Sequence, residues 1–240
     1  MFTAAFLLVA LISEILGTIG GFGSSAIFVP LAGFFYGLQT VLALTSILHV
    51  FSNTAKLLLF RKTINFKIVL WIGIPSVVMV LAGAQLNAMI TLRYAELVLG
   101  IFLVLFSSFL LFRPEMKLAP SKRNAVTTGG LAGFFAGLIG TGGAIRAMGL
   151  AAFDLEKSTF VATSAAIDMG VDVSRSAVYV YNGYLNADYY YYIPLLLGVA
   201  VAGSWIGKRV LEKVSQRNFR RIVLVLLFAI GVTQIVKAFF

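Results

Sequence analysis

His49, Asn53 and Lys56 stand at i, i+4 and i+7 in an apolar stretch, so a helix carries them on one face. Asp168, Asp172 and Arg175 repeat that spacing 119 residues further on. Glu14 and Arg146 occupy two other apolar stretches. An ionisable group within a membrane costs on the order of 3 kcal/mol or more, so it normally faces a cavity or a partner. Two chemistries fit these residue types. Glu14, His49, Asp168 and Asp172 could take up and release protons, and Arg146 and Arg175 could hold an anion. The alternative is an internal ion-pair network that joins helices and moves nothing: Asp172 with Arg175, and Asp168 with Lys56 or Arg146. Lys56 could also extend to the inner interface. Arg146 could lie on an interfacial hairpin, and Glu14 could be a neutral acid bonded to a serine.

A second pattern surrounds these residues. Gly17-Thr-Ile-Gly20-Gly21-Phe-Gly23 breaks one apolar stretch, and Gly137-Leu-Ile-Gly140-Thr141-Gly142-Gly143 breaks another. Glycine lets the backbone turn and approach a ligand without a Cβ in the way. A helix that starts inside a bilayer directs free N–H groups and the positive end of its dipole at whatever precedes it. Two such starts meeting near the midplane make an anion site. Ser24, Ser25, Thr45, Ser46, Thr141, Thr163 and Ser164 could donate hydroxyls to the anion's oxygens. Close helix packing through small residues is the competing explanation of the glycines.

The elements that must position these groups follow from composition. Hydrophobic residues make up 60% of the 240 and charged residues 12%, well away from soluble proteins. Mean hydropathy is +0.98. Residues 2–60 are too long for two helices in a hydrocarbon core about 30 Å thick, unless broken at the glycines. The expected segments are 2–18, 23–36, 39–60, 67–86 and 94–112, then 125–139, 142–153, 158–182, 189–207 and 219–239. Pro75 pairs with Pro194, and Gly83 with Gly203, at offsets of 119 and 120. The expected fold is an all-α integral membrane protein of two inverted repeats, 1–112 and 125–240, around a basic cytoplasmic linker at 113–124. Each repeat is a glycine-broken helix pair plus three transmembrane helices. Whether the broken pairs cross fully or dip in and return is open.

Charge selects the topology. With broken pairs, the linker side holds Arg61, Lys62, Lys67, Arg113, Lys117, Lys122, Arg123, Lys157, Lys208, Arg209, Lys213, Arg217, Arg220 and Arg221. The other side holds Arg93 and Lys237. If each broken segment crosses once, the split is eight to eight. Only the first division fits the positive-inside rule, so both termini are expected outside the cytoplasm in a multi-pass cell membrane protein. Met1-Phe2-Thr3-Ala4 lacks the basic region of a cleavable signal peptide and is expected to stay in the mature protein. Tyr189 to Tyr192 read as an interfacial anchor.

These motifs resemble the TauE/SafE family of sulfite and organosulfonate exporters. The resemblance rests on Gly20-Gly21-Phe22-Gly23 with Pro30-Leu31 after it, and on Ile139-Gly140-Thr141-Gly142-Gly143. A Thr-Ser pair follows each, Thr45-Ser46 and Thr163-Ser164. It covers both repeats and the linker. The second copy has Ala147-Met148 where the first has Val29-Pro30. The resemblance implies transport of a small anion, often a sulfur oxyanion, across a cell inner membrane.

Other classes find less support. His49 is the only histidine, no carboxylate cluster has metal-ligand spacing, and there is no cysteine, so no enzyme, cofactor or metal centre is expected. The charge of +10 lies in short loops beside apolar spans, which fits a lipid bilayer as partner and not nucleic acid. A cation or metal transporter using Glu14, Asp168 and Asp172 is the rival within transport. A non-transport assembly component would need longer polar loops. Homo-oligomerisation is left open.

Overall fold

The computed structural model describes residues 2–20, 23–60, 64–113, 118–211, 213, 225, 228–229, 231–232 and 235–236. The expected span 219–239 lies largely outside them. So do Gly21, Arg61, Lys62, Lys117, Arg217, Arg220, Arg221, Lys237 and the side chain of Arg93. The described elements are α1 (Phe2–Gly20), α2 (Ser25–Ala32), α3 (Leu38–Phe60), α4 (Phe66–Met89), α5 (Leu92–Phe112), α6 (Lys122–Ile139), α7 (Gly143–Ala151), α8 (Lys157–Tyr181) and α9 (Tyr192–Leu211). A 3-10 turn, Ala187–Tyr189, precedes α9.

Both glycine segments break their helices. Gly23 has φ +84° and Gly140 φ +78°, the left-handed region that glycine occupies without strain. α2 has 8 residues and α7 has 9, so at about 1.5 Å per residue neither crosses a core of about 30 Å. They are half-helices that turn back. α2 ends at Ala32, four residues before the expected 36. α7 reaches a similar length without a counterpart of Pro30. α9 starts three residues later than expected, because the 3-10 turn takes up the chain before it. Pro194 therefore falls in the first turn of α9, where no N–H is missed. Pro75, its partner in sequence, lies well inside α4.

The half-helices leave the centre in opposite directions. Phe28 of α2 and Tyr36 just beyond it pack on Phe6, near the start of α1, at 5.3 Å each. Tyr36 also meets Tyr189 and Tyr192 at 5.2 and 5.9 Å, so the α2–α3 loop and the start of α9 share one end of the bundle. Leu150 and Phe153, at the end of α7, pack with Ile68, Ala125 and Phe160. These mark the starts of α4, α6 and α8. Ile19, Phe60, Val161 and Leu211 form a cluster at that same end. Basic residues cap it: Lys208 donates to the Leu59 carbonyl at 3.3 Å and lies over Phe60, and Lys67 lies over Trp71. The tyrosines divide in their roles. Tyr192 is fully buried, whereas Tyr190 and Tyr191 are exposed and suit an interfacial anchor.

Small residues set the helix spacing. A Cβ on Gly129, Gly133 or Gly137 of α6 would strike the backbone of Ile72, Ser76 or Val80 of α4. The spacing of four lets the two backbones run in contact, a membrane packing device. Ser76 adds a hydrogen bond to the Gly129 carbonyl at 2.8 Å. In the other half, Gly203 and Gly207 of α9 receive the side chains of Glu14 and Thr18 of α1. The contact pairs α4–α6 and α1–α9 exchange when the halves are exchanged, as do α4–α8 and α3–α9, while α3 crosses α8.

The exterior of the bundle is apolar, and a set of charged groups is enclosed within its largely apolar core. Phe66, Leu70, Ile74, Val78 and Leu81 are exposed along α4, while Glu14, Lys56, Arg146, Asp172 and Arg175 are buried. Leu38–Phe60, Phe66–Met89 and Ala187–Leu211 are long and apolar enough to cross a membrane.

Candidate functional site

The two polar stripes meet where α3 crosses α8. Asn53 Nδ2 donates to Asp172 Oδ2 at 2.7 Å. Arg175 donates from Nε to Asp172 Oδ1 at 2.8 Å, and its Nη2 lies 2.7 Å from the same oxygen. Asp172 and Arg175 are thus paired as the spacing allowed. Asp168 takes Arg146, not Lys56, as its partner. Lys56 neither extends to the interface nor faces Asp168: it is buried, with Nζ 2.7 Å from Glu14 Oε1.

Glu14 is more densely ligated than an isolated buried acid. Ser24 donates to its Oε2 at 2.7 Å, Thr18 to Oε1 at 3.2 Å, Ser204 to Oε1 at 3.4 Å, and Ser52 also donates to Oε1. Five partners including Lys56 hold it as a carboxylate acceptor. Ser52 and Ser204 were not singled out from sequence. Ser52 lies three residues from His49 on the same face of α3, a signal that could have found it.

His49 joins the two halves through a chain of fixed polarity. Arg175 Nη2 lies 3.1 Å from His49 Nδ1, and an arginine can only donate. Nδ1 therefore accepts in this contact, and Nε2 is the ring nitrogen that donates. Nε2 lies 2.7 Å from Ser24 Oγ and donates to it, which leaves the Ser24 hydroxyl to donate to Glu14. The chain runs from Arg175 through His49 and Ser24 to Glu14. His49 Nδ1 also lies 3.7 Å from Asp172 Oδ1. Glu14, Asp168 and Asp172 match Lys56, Arg146 and Arg175 one for one. Among the described residues every buried cation is paired with a carboxylate.

The broken segments lie against this network. Arg146, on α7 and 4% exposed, donates from Nε to Ser164 Oγ at 3.2 Å and from Nη1 to Asp168. Its Nη2 would be 4.0 Å from a Cβ on Gly23, so an arginine of one half faces the glycine break of the other. A Cβ on Gly140 would strike Leu42 and approach Val29, next to the other break. The end of α6 has its carbonyls capped by side chains. Arg175 donates to Gly140 O at 2.9 Å and Ala136 O at 3.2 Å, Tyr179 to Gly137 O at 2.5 Å, and Asn87 to Leu138 O at 2.7 Å. Those are carbonyls that a terminating helix leaves without partners. Tyr179 stands four residues beyond Arg175 and extends its stripe. Asn87 gave no signal in the sequence.

The remaining candidates divide. Gly20 ends α1, Ser25 opens α2 and Gly143 opens α7. Ser25 and Thr141 are buried beside the breaks, and the buried Thr45 hydroxyl has no hydrogen-bond partner. Three others make structural contacts. Thr163 accepts from the Asn65 N–H at 3.0 Å and so fixes the start of α4. Ser46 donates to Ala43 O of its own helix at 2.7 Å. A Cβ on Gly142 would strike the Ala132 backbone, so this glycine lets α7 lie against α6.

A helical bundle with an apolar exterior, two opposed half-helices and a buried ionic network between them is built as a membrane transporter. The model of the sulfite exporter TauE/SafE family matches residues 5–233 of the chain. The protein belongs to that family of transporters of sulfite and related sulfur compounds. No curated protein matches it.

Proposed function

We propose that the protein carries a small sulfur oxyanion or organosulfonate by alternating access about the junction of its two broken helices. The cargo would sit between Arg146, Ser164, Gly23 and the start of α7. The observation that carries this reading is the position of Arg146: a buried guanidinium on a half-helix, facing the open glycine of the opposite break. A guanidinium offers a planar fork of donors that suits an oxyanion. Rocking of one half against the other would expose that fork to each side in turn.

The exchanged packing pairs and the opposed half-helices support inverted repeats. The tyrosine-rich end is then extracytoplasmic, together with both termini, and the lysine-rich end with the 113–124 linker is cytoplasmic. Carboxylates next to the junction support proton coupling, with Asp168 nearest to Arg146. A metal ion has to displace a resident lysine or arginine from each carboxylate, which favours the anion over the cation.

Proteoliposomes test this directly. Sulfite, sulfoacetate and a divalent metal are offered separately, with and without a pH gradient. Flux of sulfite or sulfoacetate above empty vesicles is the expected result. Divalent-metal flux without anion flux would contradict it.

A further inference from the structure

We propose that Asp168 is a tethered stand-in for the cargo: its carboxylate occupies on Arg146 the place of the transported oxyanion, and yields it by taking up one proton. The inference rests on the reading that Arg146 binds the anion. It explains why a transporter of anions holds no unpaired buried cation among its described residues.

Arg146 has three donor positions and three directions. Nε is held by Ser164 at 3.2 Å, Nη1 is held by Asp168, and Nη2 points to the glycine break at Gly23. An oxyanion on the Nη1–Nη2 edge must displace the carboxylate, and one on the Nε–Nη2 edge replaces the Ser164 hydroxyl and shares the guanidinium with Asp168. Sharing is unfavourable, because a second anion beside a buried carboxylate disfavours its ionised form. The neighbours of Asp168 deepen this conflict. Arg146 of α7 touches it, Asp172 lies on its own helix, and His49 and Lys56 of α3 act from across the crossing. Lys56 is held by Glu14 and Arg175 by Asp172, so neither can replace Arg146. Once the cargo takes Arg146, only the neutral acid is tolerated at Asp168.

The charge balance agrees. Without cargo, three carboxylates balance three cations. With cargo, the monoanion replaces the Asp168 charge, the proton stays on Asp168, and the sum is again zero. The loaded species is therefore a monoanion such as hydrogensulfite or an alkylsulfonate, bound together with one proton. Asp168 is also placed to exchange that proton. Its side chain is 15% exposed, the most open member of the three ion pairs. The repeat counterpart of Asp168 is His49, which lies between Arg175 and Ser24.

Calorimetry on the purified full chain tests the linkage. Methanesulfonate is the probe, because it does not titrate near neutral pH, and sulfite is run beside it. Heats measured in two buffers of different ionisation enthalpy give the proton count. The wild type is expected to take up about one proton per methanesulfonate bound, with affinity falling about tenfold per pH unit once Asp168 is ionised. Asp168→Asn should bind without proton uptake, with affinity flat in pH. Arg146→Gln should not bind. A wild type that takes up no proton overturns the proposal, whatever the variants do. Asp168→Asn that retains wild-type proton uptake also overturns it, since another group then carries the proton. Either result leaves the anion reading standing as long as Arg146→Gln fails to bind. Unchanged binding by Arg146→Gln, or no binding of either probe to the wild type, overturns that reading and the proposal together.

Discussion

Replacing Arg175 with Met should be among the most damaging single changes in the molecule, and Asp172→Asn should repair most of it. The Arg175 side chain is 2% exposed and reaches Asp172, His49, Gly140 O and Ala136 O. Its loss strands the buried Asp172 carboxylate, for which removal of one partner typically costs about 3–5 kcal/mol. Losing the caps on two α6 carbonyls and the bond to His49 Nδ1 adds about 2 kcal/mol at the ~0.6 typical of hydrogen bonds within membranes. The expected total is about 5–7 kcal/mol. Arg175→Met with Asp172→Asn removes the stranded charge, and Asn53 can still bond the new amide. Only the three lost hydrogen bonds, to the two carbonyls and to His49 Nδ1, then remain, about 2 kcal/mol. Unfolding in mixed micelles with rising SDS, followed by Trp71 and Trp205 fluorescence, measures all four corners of the cycle. If the double variant is as unstable as Arg175→Met alone, Asp172 was not stranded and the pairing described here is wrong. Asp168 is left out of this cycle because it belongs to Arg146.

Other expectations follow from single contacts. The chain has no native cysteine, so Ala119→Cys and Asn186→Cys report topology cleanly. In intact cells an impermeant thiol reagent should label only Asn186→Cys, and labelling of Ala119→Cys would refute the inside placement of the linker. Ser24→Ala leaves the His49 Nε2–H and a Glu14 lone pair unsatisfied, which should cost about 1–3 kcal/mol. His49→Ala should cost less on the Ser24→Ala background than alone, and full additivity would mean that the two side chains are not linked. Gly133→Ala puts a methyl against the Ser76 backbone and should destabilise by about 1–3 kcal/mol. Gly198→Ala meets nothing within 4 Å and should not destabilise, so equal losses in thermal-shift assays would refute the α4–α6 contact.

Much of this fold was legible in the sequence because membrane helices obey simple lengths. Hydropathy and the glycine breaks located the described helices, in most cases to within a few residues. The spacing of His49, Asn53 and Lys56 and of Asp168, Asp172 and Arg175 placed two stripes that do meet. Pairing inside the network was less legible. Asp172 with Arg175 is a one-turn contact that spacing reveals. The partnership of Lys56 with Glu14 depends on how the bundle places α1 relative to α3, which no local pattern records. Ser52 and Ser204 were hidden for a different reason, since hydroxyls are frequent in membrane helices and only the presence of Glu14 gives them meaning. Gly142 shows the limit of reading a motif as one unit. It belongs to the break by sequence, yet its missing Cβ serves contact with Ala132. Thr163 likewise follows the motif but holds the start of α4 through Asn65.

If cargo binds where the two breaks meet, a heavy-atom cargo analogue will be found there. Crystals grown with bromomethanesulfonate and measured at the bromine edge give the position of the ion without reference to any assumed mechanism. An anomalous peak is expected beside Arg146, with the sulfonate oxygens within hydrogen-bond reach of its guanidinium and of the start of α7, and Asp168 turned away from Nη1. A peak only at the lysine-rich end near Lys208, or a sulfonate held elsewhere with the Arg146–Asp168 pair intact, would contradict it.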